Sequence, residues 1–518
     1  MDLATAFALT VARRPDAVAV VDGERRASFS QWQAESARLA GGLARLGLRA
    51  GDHLLVVLKN RYENTALYWA CHMLGIVYTP LNWRAGAADI AFCLADAEAR
   101  AVAFEGASAL AVREALAGGG LDALPRLVLP DVNSEPGDSA YAELAAGAAL
   151  ERPVPVDEHA ICMMLYTSGT TGRPKGVPRS HRNELSAAVS QIAHNRYLFG
   201  DSALGVMPLY HTMGVRVLLA TALLNGKFVC VPTYDTELAL RLLQDERLTT
   251  MFLVPTLYYD MLHHPAFHAF DLASLKRIGY AGMTMTHALS EACLAEFKPH
   301  LFVNYYGSSE VYTLSFCDHV DAKPGCAGRP GLNQAIRVVE PDPGGGAGPE
   351  DLVKPGEPGE IIASLASPEA FAGYWKRPDA NAKALRSGWY FTGDLGRQDE
   401  DGELYVIGRV DDMVITGGEN VYPEEVENLL SRCPLVGRVA VIGMPDERWG
   451  QRLVAFIEPA AEGASAEQLE AHVRSAGLAN FKRPKEYVLI ESIPRSPVGK
   501  ILRRELRAGN YKRLFQNH

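Results

Sequence analysis

Tyr166-Thr167-Ser168-Gly169-Thr170-Thr171-Gly172-Arg173-Pro174-Lys175-Gly176-Val177 follows directly on the apolar run Ile161 to Leu165. Hydroxyls, glycine backbone N–H groups and a lysine gathered in one short stretch suit a polyphosphate, whose oxygens each need a donor and little steric bulk nearby. The stretch is not a Walker A loop. The G-x-x-x-x-G-K-[ST] spacing cannot be laid onto it, and Pro174 disfavours an immediate helix. A surface hairpin rich in Gly and Thr would have a similar composition, so the surrounding chain has to decide.

Upstream, helix-period and strand-like segments alternate. Ser30 with Gln33 reads as a capping box, Trp32, Leu39, Leu43 and Leu46 follow on one face, and Gly47 stops the helix. Leu54 to Leu58 reads as a strand covered on both sides. A helix from Glu63 to Leu74, a strand at Ile76 to Thr79, a helix near Ala87 to Leu94 and a strand at Ala101 to Phe104 complete a βαβ pattern. Downstream, Leu204 to Met207, Phe228 to Val231, Thr250 to Val254 and Arg277 to Tyr280 are short apolar strands separated by helix-length sequence. Open parallel sheets bind ligands beyond the carboxyl ends of their strands, so the informative loops are expected there.

Pro341-Asp342-Pro343-Gly344-Gly345-Gly346 opens a Pro- and Gly-rich passage into a more β-rich part. The composition changes again after Gly408-Arg409. Helices near Pro423 to Ser431 and Ala466 to Ser475 and strands near Val439 to Ile442 and Leu453 to Ile457 outline a compact C-terminal part. The boundary is placed at 409–411, and no internal repeat is found.

At 518 residues, with 48% apolar and 22% charged residues, the chain is an ordinary globular sequence long enough for at least two cores. A net charge of −10 argues against nucleic acid as the main partner. The eight cysteines stand singly, without a C-x-x-C pair or a nearby histidine at zinc-finger spacing, and are read as reduced, mostly buried residues of a cytoplasmic protein. No basic n-region precedes the first apolar stretch, so a signal peptide is not expected. The most apolar passage, Val215 to Pro232, is interrupted by Arg216, Asn225 and Lys227, so no membrane span is expected.

Four further motifs follow the phosphate stretch in order: Tyr305-Tyr306-Gly307-Ser308-Ser309-Glu310, Tyr390-Phe391-Thr392-Gly393-Asp394, Gly408-Arg409-Val410-Asp411-Asp412 and Pro497-Val498-Gly499-Lys500-Ile501-Leu502-Arg503. Over almost its whole length the chain resembles the ANL adenylating enzymes: acyl- and aryl-CoA synthetases, adenylation domains of peptide synthetases, and luciferases. The resemblance implies an α/β fold. A large N-terminal domain, 1–408, would hold parallel and mixed sheets covered by helices plus a β-barrel-like subdomain. A hinge at 409–411 would lead to a small mobile α+β domain, 412–518.

It also implies roles. Thr167, Ser168, Gly169, Thr170, Thr171 and Lys175 would hold the ATP phosphates. Glu310, with Thr170, would bind Mg²⁺, a hard cation that takes oxygen ligands. Tyr306, Gly307, Ser308 and Ser309 would contact AMP. Asp394 and Arg409 would take the ribose, an ionised carboxylate being a strong acceptor for vicinal hydroxyls. Lys500 would bridge the two anions brought together when a carboxylate attacks the α-phosphate. Rotation about Asp411 would then withdraw Lys500 and present Gly417-Gly418-Glu419-Asn420, narrow enough for a phosphopantetheine arm.

Within the family the chain is most similar to aryl-CoA ligases of the 4-chlorobenzoate type. The shared stretches are Pro208-Leu209-Tyr210-His211, Ala281-Gly282-Met283-Thr284-Met285, Gly418-Glu419-Asn420-Val421-Tyr422-Pro423, Arg448-Trp449-Gly450-Gln451 and Phe481-Lys482-Arg483-Pro484-Lys485. The likeness implies that His211 gates the acyl pocket, although a hydrogen-bonded loop histidine would fit the sequence too. It implies walls at His211, Met213, Phe252, Tyr280, Gly282, Tyr305, Gly307, Tyr312 and Thr313, with the two glycines making a slot for a ring or planar carboxylate. Tyr305, Tyr312 and Thr313 bring hydroxyls where the chlorobenzoate ligase is more apolar. This departure favours an amino- or hydroxybenzoate such as anthranilate over a halobenzoate.

Arg84, Gly417, Gly418, Trp449, Phe481, Arg483 and Lys485 match positions that hold coenzyme A, by stacking on adenine and pairing with phosphate. The implied partners are thus ATP, a small carboxylic acid and CoA, with no nucleic acid and no membrane, and a homodimer is allowed. Two alternatives stay open: a medium-chain fatty acyl-CoA synthetase, and a stand-alone adenylation enzyme loading a carrier protein. A catalytically idle homologue would have lost key groups, yet Glu310, Asp394, Arg409 and Lys500 are all present.

Overall fold

The computed structural model describes residues 1–121, 123–167, 174–341, 346–417, 419–460, 463–495 and 501–514. The chain forms two compact units: Met1–Ile336 with Ala363–Tyr390, and Arg337–Ile362 with Phe391–His518.

The first unit contains two large sheets. One has seven strands, in the order Asp138–Ala140, Arg126–Val128, Ala101–Phe104, His53–Val57, Val77–Pro80, Ile161–Thr167, Lys175–Ser180. All neighbours pair in parallel except the last two, which are antiparallel. His53–Val57 is buried along its whole length, as the unbroken apolar run required of a strand covered on both faces.

The other sheet has nine strands: Arg329–Pro330, Ser315–Cys317, Leu301–Tyr306, Arg277–Ala281, Thr250–Leu253, Ala203–Gly205, Phe228–Cys230, Val18–Asp22, Arg25–Ser28. Its centre is parallel and both ends are antiparallel. This is the mixed α/β fold expected, and the strands read from Ala101 to Phe104 and from Arg277 onward sit where the sequence placed them.

One local reading is corrected. The capping box belongs to Ser28 and Gln31, and the helix runs Phe29–Arg45. Ser28 closes the strand Arg25–Ser28, its hydroxyl accepts from Gln31 N–H, and Gln31 Oε1 accepts from Ser28 N–H. Ser30 therefore lies inside the first turn. The helix still presents Trp32, Leu39 and Leu43 to the core, where Trp32 and Trp69 pack edge to face and Phe7 stacks on Trp69.

In the second unit, Glu419–Val421, Val414–Thr416, Gly450–Pro459 and Val436–Asp446 form a sheet, with Glu486–Leu489 parallel to Gly450–Pro459. Strand alternation gives it two buried faces. Val439, Val441, Leu453 and Ala455 pack with Val426, Leu430, Leu469 and Val473 of the helices Pro423–Leu430 and Ala466–Ser475. Ala440, Ile442, Val454 and Phe456 face Val488, Ile490 and Leu506. Among the described residues no helix is long and apolar enough to cross a membrane.

Candidate functional site

The phosphate stretch joins two antiparallel strands. Thr167 stands opposite Lys175 and Tyr166 opposite Gly176, so 168–173 connect a β-hairpin, as the absence of an immediate helix after Pro174 required. Ser168, Gly169, Thr170 and Thr171 lie outside the described residues.

At the hairpin's base the Lys175 ammonium sits 4.2 Å from the centroid of the Tyr374 ring, and Trp375 N–H donates to Gly176 O at 2.9 Å. Tyr374 Oη donates to Glu310 Oε1 at 2.7 Å. The proposed phosphate lysine and the proposed metal carboxylate are thus linked through one tyrosine. Glu310 is 7% exposed, a carboxylate held in place with oxygen donors that suit a hard cation.

Arg179 fixes this geometry from beneath. Fully buried, it donates through Nε to Glu184 Oε1 at 2.9 Å and through Nη1 to the carbonyls of Glu310 at 3.1 Å and Glu369 at 2.6 Å. Burial pushes the Glu184 carboxyl above its ordinary value, against the pull of the Arg179 charge. The turn Tyr306-Gly307-Ser308-Ser309 is closed by Ser308 N–H to Val311 O at 3.0 Å and by Val311 N–H to Ser308 Oγ at 3.2 Å. A Cβ on Gly307 would lie 2.0 Å from Tyr312 O, so its missing side chain admits backbone rather than opening a slot. At Gly282, φ is +88° and the nearest atom to a Cβ is Val254 Cγ1 at 3.5 Å; only this glycine fits the slot reading.

The acyl-wall residues separate by sheet face. Tyr305 is buried, meets Phe252 edge to face at 5.3 Å, and takes Asn195 Nδ2–H on its hydroxyl at 2.7 Å. Arg216 lies 4.9 Å from the Tyr305 ring centroid and donates to Gln191 Oε1 at 2.7 Å and Tyr312 O at 3.1 Å. Tyr312 is buried beneath the Arg179 guanidinium, and Thr313 N–H donates to Glu369 Oε2 at 3.1 Å.

Tyr280 is a correction. It stands opposite Asn304, one residue out of step with Tyr305, and packs on Phe302. Side chains alternate across a strand, so Tyr280 faces away from the wall formed by Phe252 and Tyr305.

His211 caps the helix Thr212–Leu223, its Nδ1 accepting from Met213 N–H at 3.4 Å, with Met213 buried. Burial lowers the imidazole to about 4 although the residue keeps part of its surface accessible, so it is neutral at physiological pH. The loop before it is held by buried Asn60, which donates to the carbonyls of Gly205 and Met207 and accepts from Leu209 N–H.

In the second unit Asp394 and Arg409 are direct cross-strand partners, and Arg409 Nη1 donates to Asp394 Oδ1 and to Thr392 O. Asp411 is exposed in the turn Val410–Asp412. Asp412, its neighbour, lies 3.6 Å from Arg503 Nη1; Arg503 also reaches Glu427 Oε1 at 2.7 Å and Glu424 Oε1 at 3.3 Å. Lys500 and Gly418 are outside the described residues.

The positions matched to CoA are basic and aromatic. Arg84 is exposed and lies 3.8 Å from the centroid of Trp83, which Lys59 approaches on 4.6 Å. Trp449 and Phe481 are 41% and 39% exposed, large rings left open to solvent, with Arg448 and Lys482 beside them. Arg483 Nε donates to Leu478 O and Lys485 Nζ to Asn480 O. Gly417 N–H donates to Trp449 O, and a Cβ there would lie 2.9 Å from Trp449 Cε3; in this arrangement the indole fills the space the glycine leaves.

Sequence reading missed Asn60, Trp83, Arg179, Gln191, Asn195, Arg216, Glu369, Tyr374 and Arg503. Most act through partners distant in sequence; Trp83, beside Arg84, and Arg179, with Glu184 on the following helix, are the exceptions.

Residues 7–375 match the family model described as AMP-binding enzyme, and 425–500 match that of the AMP-binding enzyme C-terminal domain. The chain is 35% identical to a feruloyl-CoA synthase of Amycolatopsis over 95% of its length and 96% of the relative's. It is 31% identical to the long-chain-fatty-acid–CoA ligase FadD13 of Mycobacterium tuberculosis, over 96% of both chains. The ATP-bound structure of MatB from Rhodopseudomonas palustris superposes with a TM-score of 0.87 at 28% identity, covering 98% of this chain and 99% of that one. With its adenylation motifs in order on this fold, the chain belongs to the AMP-binding (ANL) family of adenylate-forming enzymes, as an ATP-dependent, AMP-forming acid–thiol ligase of the acyl- and aryl-CoA class.

Proposed function

We propose that the chain is an aryl-CoA ligase that activates a substituted benzoate, with an amino or hydroxyl substituent as in anthranilate preferred over a halogen. The supporting observation is the wall in which Phe252 and Tyr305 meet edge to face while Asn195 and Arg216 place hydrogen-bond donors around Tyr305. An aromatic surface with polar groups at its edge suits a ring carrying a polar substituent.

In the first half-reaction the substrate carboxylate attacks the α-phosphorus of ATP. The acyl–phosphate bond forms as the bond to pyrophosphate breaks, and Lys500 spans the two anions. Thr167, Lys175 and the hairpin residues Ser168 to Thr171 hold the leaving phosphates. Tyr374 orients Glu310, and Glu310 with Thr170 would hold Mg²⁺, which supplies neutralisation of phosphate charge. Tyr306, Gly307, Ser308 and Ser309 flank AMP, and Asp394 with Arg409 takes the ribose.

In the second half-reaction the part beyond the 409–411 hinge, 412–518, turns against 1–408 and withdraws Lys500. The CoA thiol then attacks the acyl carbon and expels AMP. Arg84 with Trp83, and Trp449, Phe481, Arg483 and Lys485, receive the nucleotide end of CoA. Neutral His211 borders the acyl group without adding a charge beside the carboxylate.

Pyrophosphate release by the purified enzyme, scanned over substituted benzoates and C4 to C12 fatty acids with and without CoA, tests this reading. Thioester formation from amino- or hydroxybenzoates with CoA is the expected outcome. Preference for aliphatic acids would overturn the pocket assignment, and thioester formation indifferent to CoA would overturn the acceptor.

A further inference from the structure

On the sheet face opposite Tyr305, the described residues of the first unit gather a second set of donors. Cys317 ends the strand Ser315–Cys317 directly across from Asn304, His319 follows two residues later, and Cys326 returns ahead of the strand Arg329–Pro330. Cys317 Sγ, Cys326 Sγ and a ring nitrogen of His319 all lie within 4.8 Å of one another. Both cysteines are buried and outside any disulfide, and His319 is half-buried, so the cluster is anchored in the core and open on one side.

The surroundings are those of metal ligands. Gly328 N–H donates to Cys326 Sγ at 3.1 Å, which favours the thiolate over the thiol. His319 Nδ1 lies 3.2 Å from Asp318 Oδ1, and Asp318 is itself held by Arg196 through Oδ2 at 2.9 Å. A carboxylate on one ring nitrogen fixes the tautomer and raises the basicity of the other, the usual support behind a metal-bound histidine. Asn304 Nδ2 donates to Cys326 O at 2.6 Å, so the backbone carrying that sulfur is positioned independently of any ion.

A second trio, His72, Cys162 and His181, is equally close-set and fully buried. Both ring nitrogens of His72 lack a protein partner there, so a metal-bound His72 would still bury one bare nitrogen. The first cluster has no such cost.

We propose that Cys317, His319 and Cys326 form a binding site for a borderline-soft divalent cation of the Zn²⁺ class. Two thiolates neutralise a divalent ion, so the cluster carries no net buried charge, and two sulfurs with one imidazole are a zinc-type donor set that magnesium does not use. As the two sulfur–metal bonds form, two thiol protons pass to solvent; water takes the fourth position on the side where His319 is exposed. The ion clips the strand Ser315–Cys317 to the returning turn and so stiffens the strand whose Phe316 pairs with Tyr305.

The test uses the full-length protein, stripped with chelator under reducing conditions and titrated with Co²⁺. A thiolate-to-cobalt charge-transfer band saturating at one equivalent and abolished by added Zn²⁺ is expected. Cys317→Ser with Cys326→Ser removes the band; His319→Ala and Asp318→Asn keep it but weaken Co²⁺ binding by about tenfold or more. Pyrophosphate release by His319→Ala at wild-type rate shows that the fold persists. No band in the wild type, a band unchanged in the double variant, or a Cys317–Cys326 disulfide that reforms in preference to metal binding would each overturn the assignment.

Discussion

Replacing Glu424 with Gln should flatten the pH dependence of stability in the second unit. Arg503 is shared by three carboxylates, Glu427 at 2.7 Å, Glu424 at 3.3 Å and Asp412 at 3.6 Å. Burial raises the Glu424 carboxyl from its ordinary 4.5 to about 7, with Arg503 pulling it down and Glu427 and Asp412 pushing it up. Between those two values the folded state holds a proton that the unfolded chain has released. Stability is therefore full below about 4.5 and is lost as the pH rises through about 7. At about 1.4 kcal/mol per pH unit, the loss between about pH 5 and 8 is about 2 to 3 kcal/mol.

Glutamine mimics the neutral carboxyl and carries no such dependence. Hydrogen exchange of peptides spanning Pro423–Leu430, corrected for intrinsic rates, measures the opening free energy. The wild type should lose about 2 to 3 kcal/mol more than Glu424→Gln across that range. Equal losses in the two proteins would refute the placement of a raised carboxyl at this junction.

Lys500→Ala should slow adenylation by at least about 10²-fold yet still convert synthetic aryl-AMP to thioester; equal loss of both half-reactions would dismiss the two-state scheme. Tyr374→Phe removes a bond to a carboxylate, worth about 1.5 to 3 kcal/mol. Pyrophosphate exchange should fall by about tenfold or more and need more Mg²⁺ for half-saturation, while thioester formation from aryl-AMP is unaffected. With its pKa depressed to about 4, His211 gains charge only well below neutrality. The kcat/KM profiles of wild type and His211→Gln should therefore run parallel from about pH 5.5 to 8, and an inflection near 6.5 that the substitution removes would contradict its burial.

The parts legible in sequence were those whose signal is local. Ala101–Phe104 and Ala466–Ser475 were read to the residue because apolar periodicity and flanking breakers lie within the element itself. Ser28 and Ser30 offered the same capping pattern two residues apart, and only the preceding strand chose between them.

Tyr280 was misplaced because which face a side chain takes depends on strand register, and alignment along the chain does not supply it. The long-range roles of Arg179 and Tyr374 were invisible for a related reason. Their partners, Glu369 and Glu310, are 190 and 64 residues away, and a buried arginine reads in sequence as one more surface charge.

The hairpin under the phosphate loop has a bearing on how such ligases can be altered. Lys175–Ser180 is locked opposite Ile161–Thr167, with Val177 and Arg179 on one buried face. Adding or deleting a single residue in 168–173 and letting the register slip by one would exchange inside for outside along that strand, expelling Arg179 from Glu184 and from the carbonyls beneath Glu310. Insertions that lengthen surface loops elsewhere at small entropic cost would here, if they shifted the register, remove the support Arg179 gives to the backbone of Glu310.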